Sequence, residues 1–238
     1  MRYINIEKEN IIKVCNGGDK SEISFYMLNG SIVFLKRFRS NDESLLNNKF
    51  NKLEFITSTG IFNSEVEILG AAIEDGKFVG YFMKYDPNYI KPINSGLDLN
   101  TKIHLLRILR EKIEMLNSYN IFILNFNDGN FLMNNSADNI KLCDLDNFQI
   151  KDMKANLINY TAQVYLNSEN NDRYVDNYCF NLYTLSLISG IIMPYIFDYI
   201  HSGKIPKCLD TKENREFIKT LRLYGNKYQK GYLIDNIK

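Results

Sequence analysis

The sequence predicts an α+β protein with two lobes: a small lobe with a five-stranded antiparallel sheet and one helix, and a larger, mainly helical lobe. Three observations favour this architecture. Strand-like segments fill roughly the first ninety residues, helical periodicity dominates after residue 100, and a segment with two prolines, DPNYIKPINSG, separates the two regions. We therefore place the lobes at residues 1–86 and 87–238, as the two halves of one domain.

Five segments of the small lobe have the composition and length of short strands. They are NIIKVC (10–15), EISFYML (22–28), SIVFLKRF (31–38), EVEILGAAI (65–73) and KFVGYFMKY (77–85). The turn dipeptide Asn29-Gly30 joins the second segment to the third. Strands connected by such short turns pair in the antiparallel sense, so these segments predict a meander.

One amphipathic helix is expected between the third and fourth strands. Leu46, Phe50 and Leu53 recur at the spacing of one helix face, and acidic residues stand in the first turn. We expect these three side chains to pack against the sheet of the small lobe.

The larger lobe is predicted to contain three helices and a β-hairpin. The helical segments cover residues 100–119, 177–190 and 212–225, and Asn100-Thr101 is a candidate N-cap of the first. The second is apolar and ends at Gly190. The hairpin is expected within residues 121–150, where three short apolar runs alternate with turn-forming residues.

The composition is that of an ordinary soluble globular protein, with 45% hydrophobic residues and a net charge of +1. This charge gives no reason to expect a nucleic-acid partner or an acidic membrane surface. The four scattered cysteines and two histidines lack the spacing of a zinc cluster. The N-terminus has no signal-like apolar stretch, and Pro194 interrupts the longest apolar run, so a cytoplasmic protein without a membrane span is expected.

Several residues have the chemistry of a nucleotide site. Lys36 lies inside an apolar strand, and a lysine on an inner face needs a partner charge, for which Glu54 is a candidate. Taken alone, Lys36 is equally consistent with an exposed position on an alternating strand, and Glu54 fits a solvated acid on the helix surface better than a paired one. Gly17-Gly18 would let backbone amides approach a phosphate, although most two-glycine turns are only turns.

Asn130 and Asp144 form a stronger pair. Asn130 precedes one apolar strand and Asp144 follows the next, so both are expected at the same end of the hairpin. Amide and carboxylate oxygens are hard ligands that suit Mg²⁺, which keeps several waters and phosphate oxygens in its shell. In isolation, however, such residues are usually turn formers.

Taken together, these motifs resemble the protein-kinase-like superfamily over nearly the whole chain. The motifs, in chain order, are VFLK (33–36), GYFMKYDP (80–87), LNFNDGN (124–130), CDLD (143–146), YLNSE (165–169) and DNYCFNLYTLSL (176–187). The resemblance implies ATP and Mg²⁺ as cofactors, with Lys36 at the phosphates and Glu54 as its helix-borne partner. It also implies that Asn130 and Asp144 bind the metal.

The resemblance makes three further structural statements. Adenine would bind the backbone around Met83 and Tyr85. Asp176 would begin a buried helix and accept hydrogen bonds from backbone amides near residues 123–125. The same helix would bury four apolar side chains, Tyr178, Leu182, Leu185 and Ile188.

The departures from the family pattern decide the functional hypothesis. Asn125 stands where the family has its catalytic aspartate, and a carboxamide cannot act as a base near neutral pH. Asp128 or Asp146 is a candidate substitute. We therefore expect a nucleotide-binding pseudokinase with a regulatory or scaffolding role, acting on a protein partner or protein substrate.

Two alternatives remain. The first is an active atypical Ser/Thr protein kinase or a small-molecule phosphotransferase, since the D-x-D pattern of Asp144 and Asp146 resembles some small-molecule kinases. The second is an interaction domain that retains only the fold. Stabilisation by Mg·ATP would distinguish the interaction domain from the other two.

Overall fold

A computed structural model describes residues 1–15, 20–92, 96–156, 173–224 and 231–237 of the chain. These residues form two compact units, Met1–Pro87 and Asn88–Lys238. Helices and strands occur in both units, so the predicted α+β class is confirmed. Each unit is described separately below.

The N-terminal unit is built on a mixed six-stranded sheet. Its strands are β1 (Tyr3–Asn5), β2 (Ile11–Cys15), β3 (Ser21–Leu28), β4 (Ser31–Phe38), β5 (Ile68–Glu74) and β6 (Lys77–Lys84). Their order across the sheet is β1-β5-β6-β4-β3-β2. The five predicted strands are all present.

The prediction of a purely antiparallel, five-stranded sheet is wrong because β1 adds a sixth strand. β1 runs parallel to β5, with Tyr3 opposite Ala71. Three residues are too few for an alternating pattern to be recognised, and only Ile4 of this strand is buried.

The helix of this unit, α1 (Glu43–Ser58), begins at Asp42, whose side chain accepts hydrogen bonds from two backbone N–H groups of the first turn. Leu53 is fully buried in a cluster with Tyr81, and Leu46 packs against the same cluster. The ring of Phe50 lies 5.2 Å from that of Phe78 on β6. The predicted packing of this helix face on the sheet is thereby confirmed.

The C-terminal unit combines helices with two small sheets. Its elements are β7 (Tyr89–Ile90), α2 (Leu99–Ser118), β8 (Ile121–Phe122), β9 (Phe131–Asn134), β10 (Ile140–Leu142), β11 (Gln149–Ile150), α3 (Arg173–Ser189), α4 (Met193–His201) and α5 (Lys212–Tyr224). One sheet has the order β10-β9-β7, and the other pairs β11 with β8. The N-cap of α2 is Asp98, not the predicted Asn100-Thr101, because the Asp98 carboxylate accepts the backbone N–H of Thr101.

Helix α3 is the most buried helix in the described part of this unit. Thirteen of the fourteen residues from Val175 to Ile188 are buried, all but Asn177, and they include the four apolar residues predicted to be so. The helix ends before Gly190, whose φ of +72° favours glycine.

Helix α4 is not expected from the sequence, because Pro194 interrupts the apolar run that forms it. Pro194 stands in its first turn, where the missing N–H costs nothing. Within the described residues, no single helix is long and apolar enough to cross a membrane; the bent pair formed by α3 and α4 meets those two criteria only when the helices are taken together.

Candidate functional site

The loop between β8 and β9 is anchored by Asp176, a fully buried acid in the first turn of α3. Its carboxylate accepts hydrogen bonds from the backbone N–H groups of Ile123 (3.0 Å) and Leu124 (2.9 Å). The prediction that Asp176 bonds amides near residues 123–125 is confirmed. Two hydrogen bonds from neighbouring backbone N–H groups to one side chain fix the start of the loop.

The backbone makes a tight turn where Asp176 holds it. Leu124 has a φ of +54°, and the Asn125 N–H donates to the carbonyl of Ile123 at 2.6 Å, which closes a three-residue turn. A fully buried leucine in this conformation stores strain on the order of 1–3 kcal/mol. The Asp176 hydrogen bonds offset that strain and direct the chain towards Asn125.

Asn117, in the last turn of α2, completes the anchor. With its amide oriented to suit its neighbours, its nitrogen donates to Asp176 Oδ2 (3.0 Å) and to the carbonyl of Ile121 (3.1 Å). This residue cannot be recognised from the sequence, because an asparagine near a helix end is common and carries no sign of a distant acidic partner.

Asn130 and Asp144 lie at the same end of the β9–β10 hairpin. The pairing of Leu142 with Phe131 places the end of β10 beside the start of β9. One residue further out, the Cys143 N–H donates to the Asn130 carbonyl at 2.9 Å. The expectation drawn from chain order therefore agrees with the observed register.

The Asn130 side chain is held in one orientation. It is 3% exposed, and its Nδ2 donates to the backbone carbonyl of Asn125 at 2.6 Å. Because the nitrogen is used in this way, the amide oxygen is the atom that can serve as a metal ligand. The same hydrogen bond ties the position of Asn125 to that of Asn130.

Asp144 ends the hairpin with a φ of +56°, a left-handed conformation that aspartate tolerates better than most residues. A short 3₁₀ turn, Leu145–Asn147, follows directly. The Asn147 amide approaches Asp144 Oδ2 at 3.5 Å. The abrupt turn leaves the Asp144 carboxylate at the tip of the strand, next to the end where Asn130 lies.

The Asn130 amide oxygen and the Asp144 carboxylate are too few to hold a metal ion by protein ligands alone, but they suit Mg²⁺. Among the described residues, no group of three or more His, Cys, Asp or Glu side chains is arranged to hold a metal ion. Mg²⁺ in phosphate-binding sites commonly takes one or two protein oxygens and completes its shell with water and phosphate. One amide oxygen and one carboxylate match that requirement.

The Asp128 side chain points towards α3 and the start of α4. Its Oδ2 accepts the backbone N–H of Met193 at 3.3 Å, and its Oδ1 lies 3.5 Å from Ser186 Oγ. Burial raises the pKa of the Asp128 carboxyl above its ordinary value, while these hydrogen bonds and the charge of Lys91 act in the opposite direction. Asp128 and Asn125 are therefore held by different partners.

In the N-terminal unit, Lys36 lies on β4 and is 3% exposed. Its ammonium group is 5.6 Å from the centroid of the Tyr81 ring, within range of a cation–π contact. Tyr81 is also its register partner on β6. The lysine is thus on the buried, α1-facing side of the sheet and not on a solvated face.

Glu54 does not fit the role of a partner for Lys36 that is expected from the sequence. It is exposed, whereas the buried face of α1 carries Lys49, Lys52, Leu53 and Ile56. At 100° per residue, Glu54 points away from that face. Lys52, which is fully buried, occupies the inward side instead and was not identified from the sequence.

The residues proposed for adenine lie at the end of β6. Met83 is buried, and Tyr85 is half-buried with its ring edge-on to those of Phe25 (5.2 Å) and Phe34 (5.0 Å). Gly17 and Gly18 lie outside the described residues, as does the YLNSE segment at 165–169.

The chain matches no protein-family model, and no curated protein matches it with significance.

Proposed function

We propose that the chain has a protein-kinase-like fold, with Met1–Pro87 as the N-lobe and Asn88–Lys238 as the C-lobe, and that it binds Mg·ATP as a regulatory or scaffolding pseudokinase. The observation that carries the proposal is the anchoring of the Ile123–Leu124 backbone by Asp176. If the motifs resembled kinase motifs only by chance, nothing would require Asp176 to contact the backbone of Ile123 and Leu124. A kinase-like fold does require this contact between residues far apart in the chain.

Each residue has a defined task in this proposal. The Asn130 amide oxygen and the Asp144 carboxylate bind Mg²⁺, and Lys36 contacts the phosphates. When bound, Mg²⁺ neutralises phosphate charge. The hydrogen bond from Asn130 Nδ2 to the Asn125 carbonyl keeps the ligand oxygen oriented. Lys36 lies on β4, the strand to which the resemblance assigns the phosphate-binding lysine.

The pseudokinase assignment depends on Asn125. A general base contributes about 10²–10⁴-fold to a rate, and a carboxamide cannot accept the proton of a substrate hydroxyl at neutral pH. The amide oxygen can still accept a hydrogen bond from that hydroxyl and orient it. We therefore expect phosphoryl transfer to be weak or absent while nucleotide binding is retained.

The preserved geometry of the loop also supports a second candidate, an active atypical protein kinase or small-molecule phosphotransferase. Phosphoryl transfer depends mainly on positioning and charge neutralisation. A loop fixed by Asp176 and by the Asn130–Asn125 hydrogen bond retains the positioning part. Slow turnover by the wild-type protein would favour this candidate.

Thermal unfolding with ATP alone, Mg²⁺ alone and Mg·ATP tests nucleotide binding. At about 100 times its Kd, a ligand that binds only the folded state stabilises it by roughly 2.7 kcal/mol. Mg·ATP should raise the melting temperature more than either component. Lys36→Met and Asp144→Asn should remove most of this increase.

Two matched variants serve as controls. Lys77→Met changes an exposed lysine of the same sheet, and Asp152→Asn changes an exposed acid of the same unit as Asp144. Both should respond to Mg·ATP like the wild type. If the wild type shows no shift with ATP and Mg²⁺ or Mn²⁺, the nucleotide proposal fails and the interaction-domain alternative gains support.

A further inference from the structure

Asp128 lies where two helices of the C-terminal unit meet. Helix α3 ends at Ser189 and α4 begins at Met193. The Asp128 carboxylate contacts both, through Ser186 Oγ and the Met193 N–H. It therefore connects the loop that carries Asn125 and Asn130 to a fixed part of the fold.

Helix α4 lacks a cap from its own sequence. Its N-cap residue is Ile192, which makes no side-chain capping hydrogen bond, and its first turn contains a proline. The first N–H groups of a helix need acceptors from outside the helix, and an anionic acceptor also interacts favourably with the helix dipole. Asp128 provides this acceptor from a residue far earlier in the chain.

The two contacts of Asp128 differ in strength. The Ser186 hydroxyl has one proton, and its 2.7 Å contact with the carbonyl of Ile191 uses it. The 3.5 Å approach to Asp128 Oδ1 is consequently a weak contact. The N–H of Met193 is therefore the main donor to the carboxylate.

A tight turn transmits this anchoring to Asn130. The Gly129 N–H donates to Asn127 Oδ1 at 2.8 Å, and the Asn130 N–H donates to the Asn127 carbonyl at 3.1 Å. Asp128 lies inside this turn. Fixing its side chain therefore fixes the backbone from which the Asn130 side chain extends.

We propose that Asp128 is a positioning residue that caps α4 and thereby holds Asn130 in its metal-binding orientation, and that it does not replace the missing base at Asn125. This inference rests on the proposed function. Its function requires a hydrogen-bond acceptor at position 128 but no titratable proton. A general base would instead need a group that can take up a proton. Asparagine can accept a hydrogen bond but cannot act as a base, so Asp128→Asn separates the two roles.

Amide hydrogen exchange in the unliganded protein tests the anchor without any nucleotide. Asp128→Ala should increase exchange about 10-fold at Gly129, Asn130 and Met193. Asp128→Asn retains an acceptor oxygen and should leave exchange within about threefold of the wild type. The exposed-acid variant Asp152→Asn should change none of these amides.

Calorimetric titration of the folded variants with Mg·ATP at low temperature tests the link to the metal site. Asp128→Ala should weaken the Kd about 10-fold, while Asp128→Asn should remain within about threefold of the wild type. Rescue by asparagine distinguishes positioning from general structural support, because a purely global loss of stability lowers the melting temperature without changing the Kd of the folded protein.

The possible outcomes are distinct. Unchanged exchange at Gly129 and Asn130 in Asp128→Ala would overturn the anchor. Equal loss of phosphoryl transfer in Asp128→Asn and Asp128→Ala, with an unchanged Kd, would overturn the positioning role and make Asp128 the base. Absence of Mg·ATP binding by the wild type would refute the proposed function, while the exchange result would still decide whether Asp128 anchors the loop.

Discussion

Asp176 Oδ1 accepts the backbone N–H of Leu124 at 2.9 Å, although fifty-two residues separate the two positions. Leu124 has a positive φ and is fully buried, so this contact supports a conformation that leucine rarely adopts. The acid and the turn are therefore mutually dependent: the turn presents two N–H groups in one direction, and the carboxylate makes their burial favourable.

Replacing Asp176 by alanine should strongly destabilise the protein. Two buried N–H groups, those of Ile123 and Leu124, would lose their acceptor, and each such loss costs about 1–3 kcal/mol. We expect the free energy of unfolding in urea to fall by roughly 2–6 kcal/mol. Asp198→Asn, at an exposed position of α4, is the control and should change stability by less than about 0.5 kcal/mol. A loss below about 1 kcal/mol for Asp176→Ala would contradict the anchoring role.

Removing the hydroxyl of Tyr183 should be neutral or stabilising. Tyr183 is fully buried, and its hydroxyl has no hydrogen-bond partner among the described residues. Burial, and secondarily the nearby Asp128 carboxylate, raise its pKa, which shows how poorly the site tolerates a phenolate. Tyr183→Phe should therefore leave the free energy of unfolding unchanged or raise it by up to about 1 kcal/mol.

Tyr26→Phe is the matched control for that prediction. Tyr26 is equally buried, but its hydroxyl accepts the backbone N–H of Glu7 at 3.0 Å. Its loss should cost about 1 kcal/mol, the usual net value of a hydrogen bond. If Tyr183→Phe is the more destabilising of the two, the Tyr183 hydroxyl has a partner that its surroundings do not indicate.

The pKa of Asp128 should make stability depend on pH in a defined direction. Burial raises this pKa above 3.8, so the protonated carboxyl is favoured in the folded state. This contribution to stability is fully present below the pKa of the unfolded chain and is lost as the pH rises through the pKa of the folded state. Asp128→Asn does not titrate at this position. Its melting temperature relative to the wild type should therefore increase from about pH 3 upwards and become constant near neutrality. A difference that does not change with pH would show that Asp128 is not significantly desolvated.

Most helices and strands can be predicted from local sequence patterns, because these patterns reflect the secondary-structure preference of each segment. Strands β2 to β6 follow from alternating apolar residues between turn formers, and α1 follows from the spacing of its apolar face. Strand β1 was missed because three residues carry no period, and α4 because a proline in a first turn looks like a break until the helix is seen.

The candidate site shows a different limit. Asn130 and Asp144 could be placed together because a hairpin brings the ends of consecutive strands to one edge. The pairing of Lys36 with Glu54 failed because it depends on the rotation of α1 about its axis, which is set by the packing of Leu53 and Ile56. The contacts of Asp128 with Met193 and of Asn117 with Asp176 join residues far apart in the chain, and composition alone does not record such contacts.

The proposal that Asn125 stands at the position of a catalytic base can be tested by introducing a carboxylate there. Asn125→Asp is nearly isosteric, and the contacts that fix this position are backbone contacts: the Asn125 carbonyl accepts Asn130 Nδ2, and its N–H donates to the carbonyl of Ile123. Folding and Mg·ATP affinity should therefore hardly change. We expect ATP turnover or autophosphorylation to rise on the order of 10²-fold, the lower end of what a positioned general base contributes.

Asn135→Asp, which adds the same charge at an exposed position of the β9–β10 turn, is the control and should leave turnover unchanged. Under the proposed function the new carboxylate and Asp144 face the same Mg²⁺. Like-charge repulsion then raises the pKa of the new group unless the metal compensates, so the gain should increase with Mg²⁺ concentration. If Asn125→Asp brings no gain, Asp146→Asn in the native background becomes decisive, because only an enzyme that uses Asp146 as its base would then lose activity. Fast ATP turnover by the wild type would contradict the pseudokinase assignment. If neither Asn125→Asp nor Asp146→Asn changed that turnover, the reaction would not depend on a side-chain base at either position.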